Sequence, residues 1–449
     1  MEHKVREEKI QKYLNYMELP LKIAGCWDWF PKPKNETQIL VNHVYFGMVL
    51  FVLTNITVAL AINLYTEWQD IMSSLDKIAD SLPLLVSLAI VTYHSVYRKE
   101  FYELIRFLDE NFKYRSANGL TNMTMLNSYK AAKSFWKVYT ACTMFSVTMY
   151  AVSPVVFHLW TKEPIQSWIY MDVTKSPFIE FVFLRSCLAQ LFVGLAMGQF
   201  GVFFAANAIL ICGQLDLLCC SLRNVRYTAM LRCGVRHAAL LNKHADILND
   251  EMHSYMYNSS EMTQSVYHYD QKMITNFATR INRFDIYERC FDDATSTALR
   301  DCARLCQVVM EYKDKFESFV SPLLALRVVQ VTLYLCTLLY AATLKFDMIT
   351  VEYLAAVALD TFIYCYFGNQ IILQASRVST AAYQSTWHAM DISSRRMLLN
   401  ILLANRRPVV VRAGRFLPMD LHTFVVIIKT SFSYYTLLVN VNETRRNAI

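Results

Sequence analysis

The sequence predicts an all-α membrane protein with seven transmembrane helices, a cytoplasmic N-terminus and an extracellular C-terminus. Three observations carry that reading. The 449 residues are 55% hydrophobic and only 18% charged, with 10 Gly and 10 Pro, unlike a soluble globular chain. Seven apolar stretches approach the ~20 residues that a hydrocarbon core of roughly 30 Å requires. Lys and Arg alternate between the connecting segments in the sense that sets orientation.

The spans fall at 37–66, 81–97, 138–161, 186–215, 328–344, 353–376 and 421–441. The first, third and fourth hold no charged residue, whereas Asp360 interrupts the sixth and Lys429 the seventh. The first 38 residues are charged and lack an apolar h-region, so no cleavable signal peptide is expected. Segments 1–36, 98–137, 219–315 and 377–419 carry 7, 8, 13 and 7 basic residues. Segments 67–80, 162–180, 345–352 and the tail after 441 carry 1, 2, 1 and 2. This alternation places the N-terminus inside and the C-terminus outside, the reverse of a G-protein-coupled receptor. The net charge of +7 is then topological and implies no nucleic acid.

None of the 12 cysteines falls in a predicted outer loop, so no disulfide framework is implied. Cys302 and Cys306 lie one turn apart without a His–Cys partner spacing and read as buried thiols. Among the sequons at Asn35, Asn55, Asn122, Asn258 and Asn442, only Asn442 is placed outside.

Between spans, Phe101, Leu104, Ile105 and Leu108 keep helical spacing, so the second span continues as a helix. The fourth span runs on through 209–222. Residues 224–293 are polar and aperiodic, an insertion that is helical only near 238–248. Leu305, Val308, Val309, Tyr312 and Phe316 restore the helical period and lead into the fifth span. Residues 391–404 form a short amphipathic helix. Pro408 to Pro418, turning at Ala413-Gly414, predicts a hairpin-like connector. Asp420 is placed to cap the last span.

Catalytic constellations are absent: there is no Gly-rich phosphate loop, nucleophile elbow or His-Glu-x-x-His. His237 and His244 form a pair on a solvated helix face. Neither enzyme activity nor a cofactor is expected, and no internal repeat suggests a transporter.

The seventh span carries the strongest functional pattern. At about 100° per residue, Thr430, Ser433, Thr436, Leu437, Asn440 and Val441 share a sector of roughly 140°. Phe432, Tyr434, Tyr435, Leu438 and Val439 lie opposite, with Ser431 mixed among them. A lipid-crossing helix keeps such a stripe only where it meets water or protein. Copies around an axis would line a pore, with Leu437 and Val441 as dewetting rings. A helix–helix packing face glued by small polar residues gives the same pattern.

The stretch from Arg407 resembles the C-terminal signature of insect odorant receptors. It carries Arg407-Pro-Val-Val-Val411, Ala413-Gly414, Phe416-Leu-Pro418, Leu421, Thr423-Phe424 and Lys429-Thr-Ser-Phe-Ser-Tyr-Tyr-Thr-Leu-Leu438. Asp172-Val-Thr-Lys-Ser-Pro177, Ile211-Cys-Gly-Gln-Leu-Asp-Leu-Leu218, Ser321-Pro322, Tyr364-Cys-Tyr-Phe-Gly-Asn369 and Pro20-Leu-Lys-Ile-Ala-Gly-Cys-Trp27 follow the family's order. Gustatory receptors share the architecture, but their Gln-Phe pair is missing after Tyr435. A G-protein-coupled receptor would need the opposite orientation and an Asp-Arg-Tyr end to the third span.

The resemblance implies a subunit of an odorant-gated, non-selective cation channel, a heterotetramer with the family's odorant co-receptor. It sits in the plasma membrane of sensory neuron dendrites and takes a small volatile ligand. The implied parts are a cytoplasmic segment 1–36, helices one to six over 37–376 with the insertion at 219–315, an anchor segment 377–419, a pore helix 420–441 and an outer tail 442–449. The resemblance favours the pore reading of the last helix. The gate falls at Leu437 and Val441, with Asn440, Ser433 and Thr436 lining the pore. Lys429 shares the stripe and is assigned to a wide cytoplasmic vestibule.

The family's odorant pocket lies in the outer half of spans two, three, four and six. By depth the candidates are Ile78, Leu82, Met149, Val152, Leu188, Phe192, Thr350 and Tyr353. Asp360 is expected to face protein, because a lipid-facing carboxylate costs about 2.5–3.5 kcal/mol. Shaping the pocket, pairing with Arg327 and ordering the helix are all open to it. An epitope tag before Lys4 should stain only permeabilised cells, and one after Ile449 should stain intact cells. Intact-cell staining of the N-terminal tag would reverse the topology.

Overall fold

A computed structural model describes residues 12–66, 71–116, 123–161, 178–243, 283–344 and 348–448. The helices are α1 (Glu18–Ile23), α2 (Glu36–Thr66), α3 (Ile71–Val96), α4 (Arg98–Asn111), α5 (Leu126–Thr161) and α6 (Phe178–Arg223). They continue with α7 (Val225–Arg232), α8 (His237–Lys243), α9 (Asp292–Leu344), α10 (Met348–Tyr383), α11 (Ile392–Ala404) and α12 (Leu421–Ala448). Each of the seven predicted spans falls on one long helix: α2, α3, α5, α6, α9, α10 and α12. Among the described residues, four stretches are long and apolar enough by themselves to cross a membrane: Glu36–Thr66, Phe183–Arg223, Arg289–Leu339 and Leu354–Tyr383.

Helices α6 and α9 hold 46 and 53 residues. At 1.5 Å per residue they reach about 69 and 80 Å, more than twice a hydrocarbon core, so both continue outside the bilayer. The second span continues as a helix, as expected, through a one-residue kink at Tyr97 (φ −96°, ψ 33°) between α3 and α4, and the Tyr97 and Phe101 N–H groups still donate to the Tyr93 and Tyr97 carbonyls. Beyond it α4 turns Phe101, Leu104 and Leu108 into the core. Helix α9 passes through Pro322 without interruption. Proline removes one backbone donor there and strains the preceding turn. Nearby carbonyls find other donors: the Tyr93 hydroxyl donates to the Phe319 carbonyl at 3.0 Å. The Gly414 N–H donates to the Ser321 carbonyl, also at 3.0 Å.

Helix α6 is the central pillar. From Phe200 to Leu222 every side chain is buried, including Asn207, Gln214 and Asp216. Buried polar groups persist only when hydrogen-bonded. Asn207 accepts from the Tyr312 hydroxyl of α9. Gln214 donates to the Lys113 carbonyl at 2.6 Å and accepts from its N–H at 3.3 Å. Asp216 accepts from Gln374 of α10. Gly213 lets α5 come close, since a Cβ there would stand 2.3 Å from the Ser128 hydroxyl.

The connector into the last helix is the expected hairpin. Strands β1 (Arg412–Ala413) and β2 (Leu417–Pro418) pair antiparallel, with Arg412 opposite Pro418. Gly414 and Arg415 both turn through positive φ, at 60° and 68°. The Arg415 N–H donates to the Ser321 hydroxyl at 2.9 Å, so the tip docks beside Pro322. Gly368 of α10 admits this connector: a Cβ there would lie 2.1 Å from the Met419 carbonyl oxygen. Asp420 caps α12 through the Thr423 N–H at 2.7 Å, as its position predicts. Asp391 likewise caps α11 through Ser393 and Ser394. Partial burial pushes the Asp391 carboxyl up, but its hydrogen bonds from Ser394 and Ser393 outweigh this and hold it below the usual range.

The insertion is closed at its base. Arg226, fully buried on α7, pairs with Asp292 at 2.9 Å and donates to the Thr295 hydroxyl at 2.8 Å. It also donates to the carbonyls of Ile286 (3.0 Å) and Glu288 (2.8 Å). Tyr227, Met230, Val235, Leu240 and Phe291 form a small core around it. Lys243 reaches the Phe284 carbonyl at 2.9 Å, bringing together the two ends of segment 244–282. The helix expected near 238–248 appears as α8, and residues beyond 243 lie outside the described ones. Arg226→Met should cost about 1–3 kcal/mol by removing the hydrogen bonds of a buried guanidinium to Asp292, Thr295 and two carbonyls. A lowered melting temperature and lost surface expression would report it; wild-type stability would contradict this account of the closure.

Candidate functional site

A cavity of about 300 Å³ opens between α3, α5, α6, α9 and α10. Two glycines on α6 create its narrow side. Gly194 lies against Val147, whose Cγ2 would be 2.2 Å from an added Cβ, and Gly198 against Thr143 at 2.8 Å. This small-x3-small spacing lets α5 and α6 approach as membrane helices do. It is legible in the sequence, yet was not part of the pattern used to place the site. The walls are chiefly apolar, with Val193, Met197, Val331, Val357 and Leu359 among them.

One end is polar. Arg327 of α9 and Asp360 of α10, both buried, form an ion pair. The Tyr139 hydroxyl of α5 donates to Asp360 Oδ1 at 2.8 Å. Arg327 also donates to Gln330 Oε1 at 2.5 Å. Gly201 brings the α6 backbone alongside, since a Cβ there would sit 3.2 Å from Asp360 Oδ1 and 3.4 Å from the Tyr364 hydroxyl. Asp360 therefore faces protein, and its partner is Arg327. Two opposite charges cancel there, so the cavity end is polar yet neutral.

Among the expected pocket residues whose side chains are described, Leu82, Met149, Val152, Leu188 and Phe192 do not line this cavity. Leu82 packs against the cluster of Tyr334 and Leu338, and Tyr334 does line the cavity. Phe192 is buried next to the lining residue Val193. Met149, Val152 and Leu188 are exposed on the chain, and the side chains of Ile78, Thr350 and Tyr353 lie outside the described ones. The physical reason is that lipid and cavity are both apolar, so hydropathy gives a residue's depth without saying which face it takes.

Helix α12 packs on α9 and α10 through a narrow stripe. Thr423, Ile427 and Ser431, four residues apart, are buried. Ile427 joins Val331 and Leu335 in one apolar cluster, with Val357 and Ile428 against it. Val331, which lines the cavity, thus shares one apolar cluster with Ile427 of the last helix, and the lining residue Val357 packs against that cluster. Ser431, the hydroxyl among the apolar residues, belongs to this packing side: it donates to the Ile427 carbonyl at 2.9 Å and lies 3.4 Å from the Thr332 carbonyl of α9.

The hydroxyl and amide stripe lies about a quarter-turn away from this packing side. Ser433, Thr436, Leu437 and Asn440 are exposed, Leu437 by 57%. Thr430, Ser433 and Thr436 turn their hydroxyl hydrogens back to carbonyls of their own helix at 2.8, 3.1 and 2.8 Å. Their oxygen lone pairs then point outward. Phe432 and Tyr434, assigned to the opposing side, are also more than half exposed, so the packing stripe is narrower than the sequence suggests. Val441 has its side chain outside the described residues. Among the described residues no group of three His, Cys, Asp or Glu is placed to hold a metal.

Long apolar helices, a mid-bundle cavity and internally paired charges define a multi-pass membrane protein of receptor type. The family described as 7tm Odorant receptor matches residues 78–432. The chain is 23% identical over 424 residues to "Putative odorant receptor 85e" of Drosophila melanogaster, covering 91% of this chain and 87% of that one. It is 26% identical to "Odorant receptor 83a" of the same species, covering 74% and 72%. In fold it is similar to the insect olfactory receptor OR5 from Machilis hrabei in complex with eugenol, with TM-score 0.69 and 16% identity over 96% and 98% of the two chains. The chain belongs to the insect odorant receptor family.

Proposed function

We propose that this odorant receptor is a ligand-tuned subunit of an odorant-gated, non-selective cation channel. It works in a heterotetramer with the family's co-receptor, in the plasma membrane of a sensory neuron dendrite. The N-terminus and the 377–419 anchor segment lie in the cytoplasm. One observation carries the reading: Ser433, Thr436, Leu437 and Asn440 of the hydroxyl and amide stripe are left exposed by the packing of α12 within its own chain. A polar helix face that its own bundle leaves uncovered suits a water-filled axis shared by several subunits.

In this reading a small volatile enters the cavity between α5, α6, α9 and α10. Leu82 and Phe192 back its walls, and Ile78, Met149, Val152, Leu188, Thr350 and Tyr353 lie toward its outer approach. Filling the cavity displaces Val331 and Val357, and with them the apolar cluster to which Ile427 of α12 belongs. A shift of that contact moves the whole helix, because packed cores rearrange as units. Leu437 and Val441 close the resting pore by dewetting, and Asn440 tunes permeation.

Co-expression with the family's co-receptor in cells that lack both should give odorant-evoked cation current. Leu437→Ser should raise the current without ligand several-fold, while Asn440→Ala shifts ion permeability. The equivalent change at Leu438 should reduce assembly instead. Leaking Leu438 variants beside normally closed Leu437 variants would overturn the pore face.

A further inference from the structure

A second cavity, of about 130 Å³, lies far from the first. Ser221 of α6, in its wall, stands roughly 30 Å along that helix from Gly201. Four parts of the chain meet there: the connector after α4, the end of α6, the end of α7 and the beginning of α9. Lys113, Arg115 and Arg232 in the wall are basic, against one carboxylate, Asp301. Asp301 is engaged by Arg232 at 2.9 Å. Among the described residues no carboxylate pairs with Lys113. The charges of Lys113 and Arg232 both act on the Cys302 thiol, itself part of the wall, so the two cations face this space.

The backbone that carries these cations is fixed. Gln214 of α6 holds residue 113 by its N–H at 3.3 Å and its carbonyl at 2.6 Å. Arg115 bridges Thr124 antiparallel, and the Ser116 N–H donates to the Met123 carbonyl at 2.9 Å. Arg232 ends α7, which Arg226 ties to Asp292 at the start of α9. Three cations and one anion leave two positive charges in excess around a space that water enters beside the exposed Lys113 and Arg232. Like charges held together in this way repel, and an anion between them removes the repulsion.

We propose that this cavity binds the phosphate group of a soluble phosphomonoester, a dianion whose charge matches the excess. Guanidinium forks and a lysine point charge are the donors that phosphate oxygens suit best. The volume admits a phosphate group but is less than half of the roughly 300 Å³ at which whole-ligand pockets begin, so the organic part stays outside. Asp301 lies roughly 40 Å along α9 before Val328, where the fifth span begins, beyond a headgroup layer only several ångströms deep. A dissolved molecule reaches the cavity and a lipid headgroup does not. In the topology proposed above this is the cytoplasmic side; the binding itself is independent of the channel reading. Once bound, the phosphate links the connector after α4 to α7 and α9.

The test is equilibrium dialysis of the full chain, in uncharged detergent, against radiolabelled glycerol 3-phosphate. One equivalent should bind, more weakly as salt rises. Lys113→Met should lower the affinity roughly tenfold, the worth of one hydrogen bond between charged groups, and Lys113→Glu should abolish binding. Lys113 is exposed, so neither change disturbs the core. Arg396→Gln removes one exposed charge from α11 and should leave the affinity unchanged, which separates the cavity from net charge. Lowering the pH from 7.5 to 5 takes the phosphate through its second pKa of about 6 and should weaken binding several-fold. Inorganic phosphate should displace the label and acetate should not. Phosphatidic acid dissolved in the micelles should not displace it either, and displacement by that lipid overturns the soluble source. No binding overturns the proposal, as does full affinity in Lys113→Glu or an equal loss in Arg396→Gln.

Discussion

The architecture hangs on the polar side chains of the wholly buried stretch of α6 from Phe200 to Leu222. Asn207, Gln214 and Asp216 sit on α6 among residues that never meet water. Each can be buried only with its partner in register, so each fixes a neighbour: Tyr312 on α9, the backbone at Lys113, and Gln374 on α10. An apolar helix in the same place could slide or rotate against its neighbours at little cost. Polar pairs spaced along α6 remove that freedom and make one arrangement of the bundle preferred.

The membrane half obeys the same logic with a different outcome. Gly194, Gly198 and Gly201 set how closely α5 and the Asp360 end of α10 approach α6. Where packing is tight, the Arg327–Asp360–Tyr139 cluster locks α9, α10 and α5 together. Where it loosens, space is left, and that space borders Val331 and Val357, the residues that also support α12. Cavity and last helix therefore share a wall. No long chain of contacts is needed to connect an occupied cavity with a moved helix.

Much of this was legible in the sequence, for identifiable reasons. The spans announce themselves because lipid demands uninterrupted apolar length. Asp391 and Asp420 read as caps because free helix N–H groups need an acceptor, and the hairpin read from Pro408 to Pro418 through Ala413-Gly414. The kink at Tyr97 was not legible, since the helical spacing of Phe101, Leu104 and Leu108 carries no mark of it. Nor was the burial of Ser431, which local pattern cannot distinguish from its neighbours without knowing that Thr332 lies opposite. The cavity escaped for the deepest reason: its lining joins five helices, and between apolar lipid and apolar cavity the hydrophobic period vanishes. The glycine spacing at 194 and 198 was the available signal.

The central claim is that the stripe of α12 meets water along a shared axis while the Ile427–Ser431 side stays packed. Single cysteines placed along 427–440, in channels co-assembled with the co-receptor, can be challenged with a charged thiol reagent while current is recorded. The account predicts modification at Ser433, Thr436 and Asn440, faster when ligand is present, and none at Ile427 or Ser431. Reaction at Ile427 and Ser431, or uniform protection of the stripe in conducting channels, would contradict it.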